Sequence, residues 1–118
     1  AGERYREATV STVRALAERS REQPFAHGTL LRVAAGLAVP PRQLVVVTEA
    51  RDSALAVAGR GADAEVVAVV SAEQARSFAD AGFALFQGKD ATTERAYDCR
   101  AFVCRLPVSD PAEVTIAR

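Results

Sequence analysis

The sequence is poor in the residues on which catalysis and metal binding most often depend. Its 118 residues include one histidine, one lysine, two cysteines, and neither methionine nor tryptophan. With one histidine, a Ser–His–acid triad has no second candidate base, and a zinc site would need ligands beyond His27 and the cysteines. His27 lies beside an apolar helical stripe, which favours a packed or interface histidine. We therefore expect no catalytic residue, no metal and no cofactor, and the residues leave open whether the whole protein is an enzyme.

Charge and hydropathy exclude two further classes of partner. The formal net charge is zero and no dense cluster of lysine and arginine is present, so we expect no nucleic-acid partner. No apolar run approaches the roughly 20 residues that span a membrane, and the polar N-terminus does not resemble a signal peptide. Two thiols do not make a disulfide scaffold in a chain of this size. These absences predict a cytoplasmic protein without a membrane partner.

Two features are those expected of a piece of a longer bacterial protein. The chain lacks methionine even at position 1, and it ends on Ala117-Arg118 within an unfinished helix pattern. Fourteen arginines stand against the single lysine, Lys89, and alanine is abundant. That bias is typical of a high-GC bacterial genome.

The run Leu44-Val45-Val46-Val47 is the most strand-like stretch of the chain. Four β-prone residues without alternation predict a strand that is buried on both faces. A second buried strand is expected over residues 65–70 and a third over 93–99, with 102–106 extending it or turning back beside it. Helices are expected over residues 52–58 and 72–80, the latter after a Ser-x-x-Gln capping box at Ser71, and from about residue 109. This alternation predicts an α/β fold with a small, three- to four-stranded, mostly parallel sheet and flanking helices.

Two amphipathic helices precede this alternation. The first is predicted over residues 3–20. The second begins at Pro24, which is a favoured first-turn residue, and it ends before Pro40-Pro41. Joined by a short polar link, they predict an antiparallel helical hairpin with a broad apolar face. We therefore assign residues 1–39 to a helical hairpin and residues 40–118 to a small α/β domain.

The turn after the first strand is where an open α/β sheet binds a ligand. Thr48, Arg51 and Ser53 are the candidate ligand-loop residues there. A phosphate site favours glycines, which let backbone N–H groups close on the anion. This turn has none, and its acids Glu49 and Asp52 would repel a phosphate. Capping of the next helix by Asp52 or Ser53 is the alternative that we favour.

Cys99 and Cys104 form a C-x4-C pair in a strand-like context. Redox-active pairs are more often C-x-x-C at a helix N-terminus, and a disulfide at this spacing requires the chain to turn between the two residues. Buried structural thiols, a reversible redox pair and a pair of metal ligands are the alternatives, in that order of preference. Asp98, beside them, must face solvent or pair with a cation, most simply Arg95 or Arg100.

Four stretches carry a family resemblance: PFAH at 24–27, LL at 30–31, PRQLVVV at 41–47 and AYDCRAFVCRLPVSDP at 96–111. They resemble the C-terminal end of the spermatogenesis-associated protein 20 family, thioredoxin-domain-containing proteins of bacteria and eukaryotes. The last stretch is the most specific, since the family's ending has a Tyr-x-Cys, a second Cys, a Pro and an acid-Pro helix start. Thr48 departs from the family, in which a glycine often follows the strand.

The resemblance implies a thioredoxin-like domain and a six-hairpin helical toroid upstream of this chain, with residues 1–39 as the end of the toroid. The family's thioredoxin-type cysteine motif would lie upstream, so only Cys99 and Cys104 match family positions here. We therefore expect a non-catalytic C-terminal accessory domain that docks onto the upstream helical domain of the same protein and self-associates when isolated. The alternative is a thiol-redox module that uses Cys99 and Cys104, or a small-ligand-binding module.

Overall fold

A computed structural model of the chain describes the backbone of residues 2–116 and the side chains of residues 2–114. Six α-helices and four strands occur in the described chain. Their order is α1 Gly2–Ala15, α2 Ala17–Glu22, α3 Gly28–Ala38, β1 Arg42–Val47, α4 Ala54–Arg60, β2 Val66–Val70, α5 Ala72–Asp80, β3 Arg95–Arg100, β4 Val103–Cys104 and α6 Pro111–Ile116. Short 3-10 helices cover Pro24–His27 and Ala84–Phe86. The chain divides into two compact units, residues 1–40 and 41–118.

The second unit is built on a four-stranded sheet in the order β2–β1–β3–β4. The predicted α/β class, with flanking helices around a small sheet, is confirmed. The prediction of a mostly parallel sheet is wrong: only β1 and β2 pair in parallel, whereas β3 is antiparallel to β1 and β4 to β3. The reason is the segment after α5, which brings the chain back to the Val47 end of β1, where β3 begins at Arg95.

All six residues of β1 are buried, among them the four from Leu44 to Val47 whose unalternating sequence predicts it. Because side chains alternate between the faces of a sheet, β1 contributes to two cores. Val45 and Val47 belong to the core that is completed by residues of β2, α5 and β3. Leu44 and Val46 belong to the other, which is completed by residues of β3, α4 and α6. This strand therefore holds the two layers of helices against one sheet.

β2 is an edge strand, and this corrects the prediction that residues 65–70 form a second fully buried strand. Val66 and Val67 remain 39% and 37% exposed, and only Val70 at the end of the strand is buried. A run of valines is common to buried and half-covered strands. Its sequence alone therefore could not show that only one neighbouring strand would lie beside it.

Serine side chains cap the N-termini of the two helices that flank the parallel strand pair. Ser53, rather than Asp52, caps α4, since its Oγ accepts the backbone N–H of Ala56 at 3.1 Å. Ser71 and Gln74 form the predicted capping box at α5. These caps satisfy first-turn N–H groups that have no partner within the helix.

α6 begins at Pro111, as the acid-Pro signal predicts. Asp110 Oδ1 accepts the backbone N–H of Ala112 at 2.9 Å, and Val114 enters the core around Leu44. The helix pattern noted through Ala117-Arg118 lies outside the described residues.

The first unit is helical but holds almost no core. The helix predicted over residues 3–20 is interrupted at Leu16, and the helix predicted from Pro24 starts as a 3-10 helix before α3. The predicted apolar stripes do face each other, because Val13 of α1 and Leu30 and Val33 of α3 line one groove of about 480 Å³. Among residues 2–40, only Ser20 is buried.

Candidate functional site

The candidate ligand loop lies at the carboxyl ends of β1 and β2. A polar cleft of about 340 Å³ opens there, and Thr48 and Arg51 are among the residues that line it. Ser53 does not line the cleft, because it serves as the cap of α4. The structure therefore brings together two of the three residues that the sequence grouped.

Polar groups at this end of the sheet already form hydrogen bonds within the protein. Thr48 is only 6% exposed. Its hydroxyl donates to a carboxylate oxygen of Glu94 and accepts the N–H of Ala50. Glu49 Oε1 accepts the backbone N–H of Ala72 at 3.0 Å, in the first turn of α5. A helix N-terminus is where a phosphate would bind, and a carboxylate already bonded there opposes a second anion.

A buried arginine, Arg42, organises the opposite end of β1. Arg42 is 4% exposed, and its Nε donates to Asp98 Oδ1 at 3.0 Å. Its two terminal nitrogens donate to the carbonyl oxygens of Asp63 at 3.0 Å and Val114 at 3.2 Å. One guanidinium thus ties the start of β1 to β3, to the segment before β2 and to α6.

The partner of Asp98 corrects the sequence prediction, which offered the cations nearest along the chain, Arg95 and Arg100. The structure pairs Asp98 with Arg42, a residue 56 positions away. The antiparallel register brings them together, because Leu44 lies opposite Asp98 in the ladder between β1 and β3. The available signal was an arginine at the start of an apolar strand, and that pattern does not distinguish a buried arginine from an exposed one.

A cavity of about 280 Å³ opens beside this ion pair. Its walls are mainly apolar and include Leu44, Ala96 and Val108. The charged residues at the cavity, two of each sign, are Arg42, Arg105, Asp98 and Glu113. Because these charges balance, the cavity does not select a ligand of one charge, in contrast to a phosphate or metal site.

Two ionisable groups near the sheet have shifted pKa values. Glu65 accepts the N–H of Arg42 at 2.7 Å, and backbone hydrogen bonds from Glu65 itself and from Arg42 lower the pKa of Glu65. Lys89 is 5% exposed and lies over the ring of Tyr97, 5.4 Å from its centroid. Burial lowers the pKa of Lys89, since a charged amine is disfavoured away from water. Its sequence context, a Gln-Gly-Lys-Asp turn, gave no sign of burial.

Cys99 and Cys104 are joined by a disulfide, with the two sulfurs 2.04 Å apart. They lie directly opposite each other in the ladder between β3 and β4, and their Cα atoms are 3.9 Å apart. The chain turns back between them, which is the condition that their spacing imposed. The preferred interpretation, two buried free thiols, is therefore wrong, and the structure shows the disulfide that was ranked second.

Comparison with known proteins finds no family model that matches the chain, and neither a curated protein nor a solved structure is significantly similar to it. None of the helices in the described chain is long and apolar enough to cross a membrane. Among the described residues, no three histidine, cysteine or carboxylate side chains are grouped as metal ligands would be. Nδ1 of His27 lies 2.9 Å from the carbonyl oxygen of Gln23, which is a local contact one helical turn away.

Proposed function

We propose that this chain is a non-catalytic C-terminal accessory domain of a larger multidomain, cytoplasmic protein that resembles the spermatogenesis-associated protein 20 family. In this proposal, the α/β unit of residues 41–118 is a structural module. The helices of residues 1–40 attach it to an upstream helical domain of the same protein. One observation carries the proposal: at the end of the sheet where an α/β protein would bind a ligand, polar groups are already hydrogen-bonded within the chain.

These hydrogen bonds lie at the ends of both parallel strands. Thr48, which follows β1, is held by Glu94 and by the backbone of Ala50. Glu49 occupies the N-terminus of α5, which follows β2. A nucleotide or sugar phosphate would have to displace the Glu49 carboxylate from the backbone N–H of Ala72 and would meet like charge there. These contacts favour a structural role for the edge.

The attachment role is supported by the exposure of the helices. α1 and α3 contain no buried residue, although apolar stripes run along both. Short helices are marginal in water unless an apolar face is packed, so a covered groove is the more stable arrangement. The occupant that we propose is a helical segment of the upstream domain, because the groove between α1 and α3 is lined by apolar and threonine side chains that suit a third helix.

Self-association of the isolated chain tests the attachment role. In the absence of the upstream domain, exposed apolar stripes should pair with those of a second copy. We expect a dimer or larger species in light scattering. Val33→Glu, which places a charge in the groove, should shift the chain to monomer, and Arg32→Glu, at an exposed neighbouring position outside the groove, should not. A wild-type chain that stays monomeric at high concentration would contradict the proposal.

A ligand screen by thermal unfolding tests the structural role. A compound that binds only the folded state raises the melting temperature. We expect no shift with nucleotides or sugar phosphates, because Glu94 already accepts the hydrogen bond of the Thr48 hydroxyl and Glu49 accepts the N–H of Ala72. A reproducible, concentration-dependent shift that Thr48→Ala abolishes would instead support a ligand-binding module.

A further inference from the structure

The hairpin formed by β3 and β4 combines a disulfide with an unusual turn. Cys99 and Cys104 are five positions apart, and only Ala101 and Phe102 lie at the tip between the paired residues Arg100 and Val103. Both tip residues have positive φ, 49° for Ala101 and 64° for Phe102. The ladder beyond the tip consists of two residue pairs, Cys99 with Cys104 and Arg100 with Val103.

This turn is conformationally strained. Two-residue hairpin turns with positive φ at both positions are usually formed by Asn-Gly or Gly-Gly, since a Cβ atom crowds the backbone in the left-handed region. Alanine and phenylalanine are neither glycine nor asparagine, so the native turn is a costly conformation for both residues. Surrounding contacts must therefore hold it in place.

The disulfide and several hydrogen bonds do so together. The N–H of Phe102 donates to Gln43 Oε1 at 3.2 Å, and the N–H of Arg105 donates to the carbonyl of Asp98 at 2.9 Å. Further along the chain, Val108 is bridged to Ala96 of β3. Loss of the disulfide would leave the strained tip held at the end of a hairpin whose ladder is only two residue pairs long.

The two sulfurs differ in exposure. Cys99 is 1% exposed and lies in the core with Val45 and Tyr97. Cys104 is partly exposed, and its neighbours Phe102 and Val103 are 59% and 76% exposed. An external thiolate therefore approaches Cys104 more readily than Cys99.

We propose that Cys99–Cys104 is an exchangeable disulfide that an external dithiol reduces in the folded protein, and that its reduction releases the turn at residues 100–105. The thiolate of the dithiol attacks Cys104 Sγ, which forms a mixed disulfide and expels Cys99 Sγ, and Cys99 Sγ then takes up a proton. The second thiol of the dithiol, as its thiolate, attacks the mixed disulfide and releases the thiolate of Cys104, which is then protonated. The protein gains two electrons and two protons, and the dithiol becomes a cyclic disulfide.

The core can accommodate the reduced form, because a neutral thiol behaves as a small apolar side chain. The released segment also forms part of the wall of the cavity beside Arg42 through Arg105, and Leu106, the next residue, lines the same cavity. Reduction is therefore expected to change access to that cavity as well as the shape of the hairpin.

Titration of the full chain with mixtures of reduced and oxidised dithiothreitol, without denaturant, tests the exchange. The readouts are the number of alkylated thiols by mass spectrometry and the rate of trypsin cleavage after Arg100 and Arg105, compared with cleavage after Arg76 on α5. We expect complete reduction in the folded state, with cleavage at the two hairpin sites increasing by about tenfold or more because local opening exposes them. A disulfide that yields only to denaturant, or reduction that leaves the cleavage rates unchanged, would overturn the proposal.

A variant with a relaxed turn tests the part played by strain. Ala101→Asn with Phe102→Gly provides the Asn-Gly sequence that this turn favours and keeps both cysteines. If reduction relieves strain in the wild type, half of the variant should be reduced only at about a tenfold higher ratio of reduced to oxidised dithiothreitol, since 1.4 kcal/mol of strain corresponds to a factor of ten. Phe25→Gly, which removes a fully exposed phenylalanine elsewhere, should leave the midpoint unchanged.

Two further results complete the test. Cys99→Ala with Cys104→Ala should be cleaved at the rate of the reduced wild type and should not respond to dithiothreitol, while circular dichroism confirms that the variant is folded. Equal midpoints for the wild type and the Asn-Gly variant would show that the turn is not released, and a structural disulfide would then be the correct interpretation.

Discussion

Replacing Arg42 with methionine should destabilise the α/β unit more than any single change on its surface. Methionine keeps most of the aliphatic volume but removes all the guanidinium donors. Asp98, whose side chain is 18% exposed, would lose its cation, and the carbonyls of Asp63 and Val114 would lose their donors. Breaking a buried ion pair by removing one partner costs about 3–5 kcal/mol, and the partial exposure of Asp98 places this case near 3 kcal/mol.

Urea unfolding of the full chain measures this cost. With a slope of about 1.5 kcal/mol per M for a chain of this size, a loss of 3 kcal/mol lowers the midpoint by roughly 2 M. Arg42→Lys keeps the charge but cannot reproduce the three-way geometry of the guanidinium, so its midpoint should lie between those of Arg42→Met and the wild type. Hydrogen exchange in α6 should accelerate in both variants, because Val114 loses the bond that ties the helix to β1.

The double variant Arg42→Met with Asp98→Leu separates the two causes. If an unpaired carboxylate dominates the loss, replacing both members of the pair with apolar residues should recover part of the stability. If the orphaned carbonyls dominate, the double variant should be no better than Arg42→Met alone. An Arg42→Met protein within about 0.5 kcal/mol of the wild type, the range of an ordinary surface substitution, would refute the assignment of Arg42 as the organising residue.

The remaining predictions concern packing and pH. Gly59→Ala should destabilise the protein by about 1–3 kcal/mol in thermal unfolding, because its added Cβ would lie 2.6 Å from Val46 Cγ2. Gly36→Ala, whose added Cβ has no atom within 4 Å, should be neutral or stabilising. Equal effects of the two substitutions would contradict the packing of α4 on β1. Burial lowers the pKa of Lys89, so between its folded and unfolded pKa values the unfolded chain binds more protons, and stability should rise with pH through that range. Lys89→Met should remove this contribution to the slope in urea unfolding at successive pH values, and identical slopes for the two proteins would contradict the burial of the amine.

The sequence predicted most of the individual elements of the α/β unit, and it did so where local physics is decisive. The valine run of β1 is buried along its whole length, because such a run suits a strand with both faces covered. Ser71 and Gln74 form their capping box, because the bonds in it join residues only three positions apart. The first unit was predicted less well, since the interruption at Leu16 has no proline or glycine to mark it.

The candidate site was predicted only in part. Thr48 and Arg51 do lie at the sheet edge, because chain order alone places the turn after β1 there. Glu94, which accepts the hydrogen bond of the Thr48 hydroxyl there, is 46 residues from Thr48, and no local pattern links them. The pairing of Cys99 with Cys104 requires the chain to turn between them. The sequence left open whether residues 102–106 turn back beside the third strand or extend it.

The direction of β3 and the Arg42–Asp98 ion pair are the clearest examples of what the sequence could not predict. A strand of the same composition can pair in parallel or antiparallel. The direction of β3 depends on where residues 81–94 end, which is a property of that whole loop and of the α5 helix before it. Arg42 and Asp98 meet only as a result of that choice. Local sequence therefore determined which segments are strands, helices and caps, since hydrogen bonds and burial patterns of neighbouring residues decide them. Tertiary structure decided the sheet order, the buried ion pair and the closed hairpin, because each depends on contacts between residues that are brought together only when the chain is fully packed.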